Sequence, residues 1–255
     1  MTIRTGIIAI IFAVLVGIGG WYLFTHTQSL PHALNENGDR QLKEATDYYT
    51  IQAIYPNTTR LGTRTDSSTA ADKHAVATIE NWVNQATNTF KSDANQMLTD
   101  DEKARLKEQG STYSLNIGYH PYNSGSFVSE EFDIYQDTGG AHPNSAYKTF
   151  VFDLKGNQVN LGDLFTSNDY LSRIASEAKK QVSDELAQRA GAEATSTIFD
   201  EGLAPNADNF ANWVDDQDSL TIFIPPYQAA AYAAGSFEVH IPLQDLKDIL
   251  KPGIQ

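Results

Sequence analysis

Three groups of side chains in this sequence are able to do chemistry. They are six histidines, a large supply of carboxylates, and tyrosines set in turns rich in proline and glycine. The histidines are His26, His32, His74, His120, His142 and His240. A mononuclear zinc site needs about three nitrogen or oxygen ligands in one place. No two of these histidines share a ligand-like spacing. His120 and His240 fall on the polar faces of strands and His142 falls in a glycine-rich turn, so solvated or turn-stabilising histidines are expected, with no metal and no other cofactor. Carboxylates such as Glu130, Glu131, Asp133, Asp215, Asp216 and Asp218 would have to pair roughly 5–10 Å apart to hydrolyse a glycan, one of them with a raised pKa. Sequence does not display such pairing. With 32 acidic against 18 basic residues and a net charge of −14, acidic clusters read as solvated surface. No G-x-S-x-G, phosphate-binding loop or G-x-G-x-x-G occurs, and no cysteine is present. Cysteine nucleophiles, disulfides and zinc–thiolate sites are thereby excluded. No catalytic residue is expected.

Two turns stand out. Thr138 to Asn144 reads TGGAHPN. Its glycines permit positive φ, and Pro143 pushes the preceding residue toward an extended backbone. It serves either as a tight strand connection or as a ligand loop presenting His142 and Asn144. Pro225 to Gly235 reads PPYQAAAYAAG. Tyr227 and Tyr232 in it are either contact residues, as tyrosines often are at interfaces, or filling for a seam between sheet and helix. His142, Asn144, Tyr227 and Tyr232 are the candidate ligand-binding residues.

The elements that must position these turns follow from hydrophobic periodicity. Tyr48–Tyr55 is β-branched and aromatic and stops at Pro56, which makes it a strand. Thr63–Thr69 is a loop. Val76, Ile79, Val83, Ala86 and Phe90 fall at helical spacing. Thr99 with Glu102 forms a capping box for a short helix through Lys107 that Gly110 ends. Strands are expected at Tyr113–Tyr119, Phe127–Tyr135 and Tyr147–Leu154, where apolar and polar residues alternate or run apolar. A long helix carries Leu171, Ile174, Ala178, Val182 and Leu186 on one stripe, with Ser167 as its cap. Gly191–Asn209 is loop-rich. Leu220–Ile224 is apolar on both faces and so central; a strand at Phe237–Ile241 and a short helix at Leu243–Leu250 close the chain. Strands and helices are segregated, which predicts an α+β fold with a mostly antiparallel sheet and packed helices.

Ahead of this lies Gly6–Phe24, 19 residues without a charge. As a helix it would span about 28 Å, close to the ~30 Å hydrocarbon core. Trp21 and Tyr22 sit at its end, where an aromatic belt would lie. Arg4 precedes it and no Lys or Arg follows until Arg40, so the positive-inside bias places the N-terminus in the cytoplasm and the rest outside. The run is longer than the ~7–15 residues of a signal-peptide core, and no A-x-A-like site follows, which favours an uncleaved single-pass anchor. The expected organisation is a cytoplasmic stub at 1–5, a transmembrane anchor at 6–24, a tether at 25–44, an N-terminal module at 45–110 and a C-terminal domain at 111–255. The acidic balance excludes a free-standing nucleic-acid binder. Oligomeric state is not legible.

Four segments together carry a resemblance: DIYQDTGGAHPN (133–144), FDLKGNQVNLGDLF (152–165), FIPPYQAAAYAAG (223–235) and VHIPLQDL (239–246). Their order and spacing resemble the C-terminal extracytoplasmic domain of RsiV-type proteins. YYTIQAIYP (48–56) and the helix after it resemble the module found ahead of the catalytic domain in PdaC-type peptidoglycan deacetylases. Ala231 departs from the pattern, where proline often precedes the second tyrosine. RsiV-type proteins are single-pass anti-sigma factors whose outer part binds lysozyme. With only Met1–Thr5 inside, the sigma-holding role does not carry over. PdaC-type enzymes act through a separate domain, whose combination of an Asp-Asp pair with His-x-x-x-His is absent here. The resemblance therefore implies a membrane-anchored binding module without catalysis, whose partner is lysozyme, another basic secreted protein, or peptidoglycan. The competing expectation is a cell-wall glycan-modifying enzyme using paired carboxylates.

Overall fold

The computed structural model describes residues 33–61, 70–124, 126–167 and 169–254. The anchor at 6–24, the start of the tether and the loop at 63–69 lie outside the described residues. Among the described residues no helix is long and apolar enough to cross a membrane.

The first surprise is in the tether. Short β1 (Ala33–Leu34) and β2 (Arg40–Ala45) pair antiparallel there. β2 reads RQLKEA, which looks like a solvated linker, yet Leu42 is fully buried. One inward leucine and a neighbouring strand suffice to recruit it. That neighbour is β3 (Tyr49–Tyr55), whose pattern of alternate burial matches its sequence.

Two helices follow β3. α1 (Ala70–Met97) buries Val76, Ile79, Val83 and Phe90 on one stripe. Thr87 is buried in place of Ala86, and its hydroxyl donates back to the Val83 carbonyl, so its polarity is internally satisfied. α2 (Asp100–Gln109) starts where Thr99 accepts from the Glu102 amide and ends at Gly110 in the left-handed region. The Glu102 carboxylate, free of the reciprocal capping role, takes Arg105 and the Tyr113 hydroxyl instead. These bonds hold it down at about 2.

The two helices form the crossover that a parallel strand pair requires. β3 runs parallel to β4 (Tyr113–Asn123), with Tyr49 opposite Tyr113. This pairing joins residues on either side of position 110. β4, β5 (Phe127–Asp137) and β6 (Asn144–Asp153) then continue antiparallel, giving a six-stranded sheet in the order β1 to β6. The sheet is therefore mixed, with a single parallel pair between β3 and β4. One face packs on α1, where Trp82 meets Phe132 and Phe150.

The opposite face receives the C-terminal half. α3 (Tyr170–Ala190) buries Ile174, Ala178, Val182 and Leu186 as its stripe predicts. Its N-cap is Asp169, not Ser167, which lies two residues earlier and accepts from the Asp169 amide. Three short 3-10 turns fill 192–210. β7 (Trp213–Asp216), β8 (Ser219–Ile224) and β9 (Phe237–Pro242) form a second, antiparallel sheet with β8 in the middle. Ile222 is fully buried there. A single turn, α4 (Leu243–Leu246), follows, and the chain then pairs Leu250 with Phe165 rather than extending the helix. Phe127 and Val151 from the large sheet join the α3 stripe and the apolar residues of β7–β9 in one core. β7 is pinned to the large sheet where the Trp213 amide donates to Thr149.

Candidate functional site

Three of the four candidate ligand residues meet. The His142 ring stacks on Tyr232 with centroids 3.7 Å apart and planes 12° apart. The Tyr227 hydroxyl lies 2.7 Å from His142 Nε2, and Nδ1 of the same ring lies 3.0 Å from the Pro143 carbonyl. Tyr227 and Tyr232 rings sit 5.6 Å apart. Asn144 opens β6, opposite Gln136, outside this ring stack.

The local sequence explains the arrangement. Gly139 takes φ +74°, and its amide donates to Asp137 in the β5–β6 turn that carries His142. The tyrosine loop is fixed from below. Gln228 donates from Nε2 to the Gly202 and Asn209 carbonyls, and the Phe199 amide donates to Ala229. A Cβ on Gly202 would stand 1.7 Å from the Gln228 carbonyl oxygen, so only glycine admits this approach. Next to that anchor, Tyr227 is held at φ +71°, and the residue is 53% exposed. A non-glycine residue in that region costs of order 1 kcal/mol and is worth a functional hypothesis.

Beside the rings runs a groove of about 590 Å³ between β5, β6 and the 226–236 loop. Asp133, Tyr135, Tyr147, Pro226, Tyr232 and Ser236 are among its walls. Rings, hydroxyls and one carboxylate line it, which suits a ligand with flat apolar faces and polar edges.

At the Asp133 end the structure gathers groups that sequence spacing did not connect. His120 on β4 pairs directly across from Glu131 on β5, and Asp133 is two residues further along the same face. His120 Nε2 lies 3.2 Å from Asp133 Oδ2. Each of the three offers a ligand atom within 4.8 Å of the others. Glu131 is 2% exposed, and its Oε1 has no hydrogen-bond partner. Burial, with Asp133 and Glu238 nearby, pushes its carboxyl up to about 8. His240, the other strand histidine, instead meets Thr221 at 2.9 Å. The signal that could have found the trio is strand register, which one sequence does not reveal.

Glu130 points to the opposite face and is buried to 1% exposure. Burial raises its carboxyl well above the usual range, against a partial offset from Arg60. It lines a smaller cavity of about 110 Å³ with Asp39 and Tyr119.

Residues 42–145 match the family described as Deacetylase PdaC, and residues 162–244 match the family described as Protein of unknown function (DUF3298). The chain carries a PdaC-type domain and a DUF3298 domain. The peptidoglycan-N-acetylmuramic acid deacetylase PdaC of Bacillus subtilis (strain 168) is 31% identical over 140 residues, covering 54% of this chain and 29% of that protein. The chain thus spans less than a third of that relative's length. A crystal structure of a DUF3298 family member from Bacteroides fragilis NCTC 9343 covers 88% of this chain and 94% of its own, with a TM-score of 0.58 at 18% identity. That likeness shows a shared fold. A DUF3298 family protein from Pseudomonas aeruginosa PAO1 covers 88% and 95%, with a TM-score of 0.48 at 15% identity. The ring cluster draws from both matched stretches: His142 from the PdaC-type domain, Tyr227 and Tyr232 from the DUF3298 domain. His120, Glu131 and Asp133 all belong to the PdaC-type stretch.

Proposed function

We propose that this chain is a membrane-anchored, extracytoplasmic binding module for a cell-wall ligand, without catalysis of its own, and that peptidoglycan glycan occupies the groove. The observation that carries this is the His142–Tyr227–Tyr232 cluster at the edge of the groove. Its exposed, strained tyrosine is held rigid from beneath. Sugar rings present flat C–H faces to aromatic rings and hydroxyls to polar edges, and both kinds of wall are present. The relative named as a peptidoglycan-N-acetylmuramic acid deacetylase supports a cell-wall setting.

The net charge of −14 supports a second reading, in which the partner is a basic secreted protein such as lysozyme, as the RsiV-type resemblance implies. The enzyme alternative would rest on Glu131 and Asp133. Asp133 lines the groove, but Glu131 does not and is almost fully buried, so an acid–base pair open to a glycan is not formed.

The test is calorimetry with soluble muropeptides, and separately with a basic lysozyme and an equally basic unrelated protein, at about 150 mM salt, where screening acts beyond ~8 Å. Muropeptide binding that falls about tenfold, ~1.4 kcal/mol, in Tyr227→Ala and Tyr232→Ala with unchanged melting temperature supports the proposal. Binding of lysozyme alone, not shared by the basic control, replaces glycan with the protein partner. Release of new reducing ends or acetate from the muropeptides would overturn the non-catalytic reading. Absence of all binding overturns the module itself.

A further inference from the structure

We infer that His120, Glu131 and Asp133 form a binding site for a divalent transition-metal ion of the zinc type. The three side chains come from two adjacent strands and one face, with a cross-strand pair and an i, i+2 pair. Their ligand atoms lie within 4.8 Å of one another, and His120 Nε2 and Asp133 Oδ2 are 3.2 Å apart. Ligands about 2.0–2.1 Å from a tetrahedral zinc stand roughly 3.3 Å from each other, so closing this trio on an ion needs only side-chain rotation.

A second observation points to a ligand. Glu131 is 98% shielded from solvent, since its exposure is 2%, and its Oε1 finds no donor. A buried oxygen without a partner is costly, and a cation is the partner that satisfies it best. The surrounding charge agrees. Glu238 on β9 adds a further carboxylate beside the trio. His120 and Asp133 keep side-chain exposures of 64% and 54%. The ion would therefore enter from solvent and retain open positions on its outer side, as ions with three protein ligands do. One imidazole with two carboxylates suits zinc, cobalt or manganese better than magnesium, which prefers oxygen and water.

This inference does not depend on what the groove holds. The test is calorimetry of the chelator-treated 255-residue chain in detergent micelles with Zn²⁺, and with Co²⁺ followed by its visible absorption. One equivalent is expected to bind, with visible cobalt bands of a site containing nitrogen. His120→Ala, Asp133→Asn and Glu131→Gln should each weaken binding at least tenfold, while Asp101→Asn leaves it unchanged. Glutamine is nearly isosteric with the protonated Glu131 side chain. If that variant fails to fold, the two exposed ligands carry the test alone. No saturable binding, equal binding of Mg²⁺, or binding indifferent to the His120 and Asp133 substitutions would overturn the site.

Discussion

Replacing Asp215 with asparagine should change the pH dependence of stability in a direction the structure fixes. Asp215 is buried in β7, where the Ser124 hydroxyl donates to Oδ2 and Oδ1 has no partner. Burial raises its carboxyl to about 6, Asp216 and Asp218 add to the rise, and the Ser124 bond opposes it. An unfolded aspartate titrates near ~3.9. Between these values the folded chain holds a proton that the unfolded chain has released. The contribution is therefore fully present below about pH 4, is lost as pH rises toward 6, and stays lost above. A rise of two units corresponds to ~3 kcal/mol at ~1.36 kcal/mol per unit, and solvent screening beside the exposed Asp218 trims it to ~2. Asparagine stays neutral and keeps an acceptor for Ser124, but it buries an amide without a partner, a cost of ~1–3 kcal/mol. At pH 4 the variant should be the less stable protein, and by pH 7 it should match or exceed the parent. The assay is urea unfolding of residues 32–255, which form one compact unit, at several values between pH 4 and pH 7. The difference between the two proteins cancels the other titrating groups. A difference constant within ~0.5 kcal/mol over that range, the scatter of ordinary surface substitutions, would refute the reasoning.

Ile222→Ala removes a fully buried side chain from the central strand of the second sheet and should cost ~2–5 kcal/mol in the same unfolding assay. A loss below ~0.5 kcal/mol would place the strand wrongly. Gly202→Ala drives a Cβ into the Gln228 carbonyl, so the tyrosine loop should shift. Weakened muropeptide binding in a still-folded protein is the expected result, and unchanged binding would detach the loop from the site. Protease added to intact protoplasts should digest the chain beyond Phe24, since Arg4 before the apolar run orients it; full protection, or a mature N-terminus past Phe24, would reverse the topology.

What the sequence disclosed were elements with strong periodicity. The stripes of α1 and α3 and the alternation in β3, β4 and β9 could be read directly, because each buries one face and the residue types say which. β2 escaped because a six-residue edge strand needs only Leu42 facing inward, and its charged neighbours look like a linker. The parallel register of β3 with β4 escaped because the pairing is set by a crossover of 57 residues, 56–112, not by local pattern. His142, Tyr227 and Tyr232 were each conspicuous in their own turns. Their meeting spans 85 residues and depends on Gln228 reaching back to Gly202, a contact that no spacing rule encodes.

Among the described residues, local rules fail at positive φ on Arg60, Gln217 and Tyr227 and at unpartnered buried oxygens on Ser129, Glu130, Glu131 and Asp215. Tyr227 sits in a backbone region that tyrosine avoids, and Glu131 buries a carboxyl oxygen without a partner. Their neighbours line one groove: Tyr232, whose ring is 5.6 Å from that of Tyr227, and Asp133, two residues from Glu131. Some polar groups elsewhere in the fold are satisfied internally. Thr87 bonds within its helix, and Gln181 serves both the amide and the carbonyl of His240 on the edge strand β9. Departures like those at Tyr227 and Glu131 are expected where a ligand supplies what the protein leaves open. Asp215 differs from Glu131: it is buried with one free oxygen, but its other oxygen takes the Ser124 hydroxyl across the junction between the two sheets. That distinction is measurable. Ligand or metal should raise the melting temperature through the Tyr227 or Glu131 region and leave the pH slope assigned to Asp215 untouched.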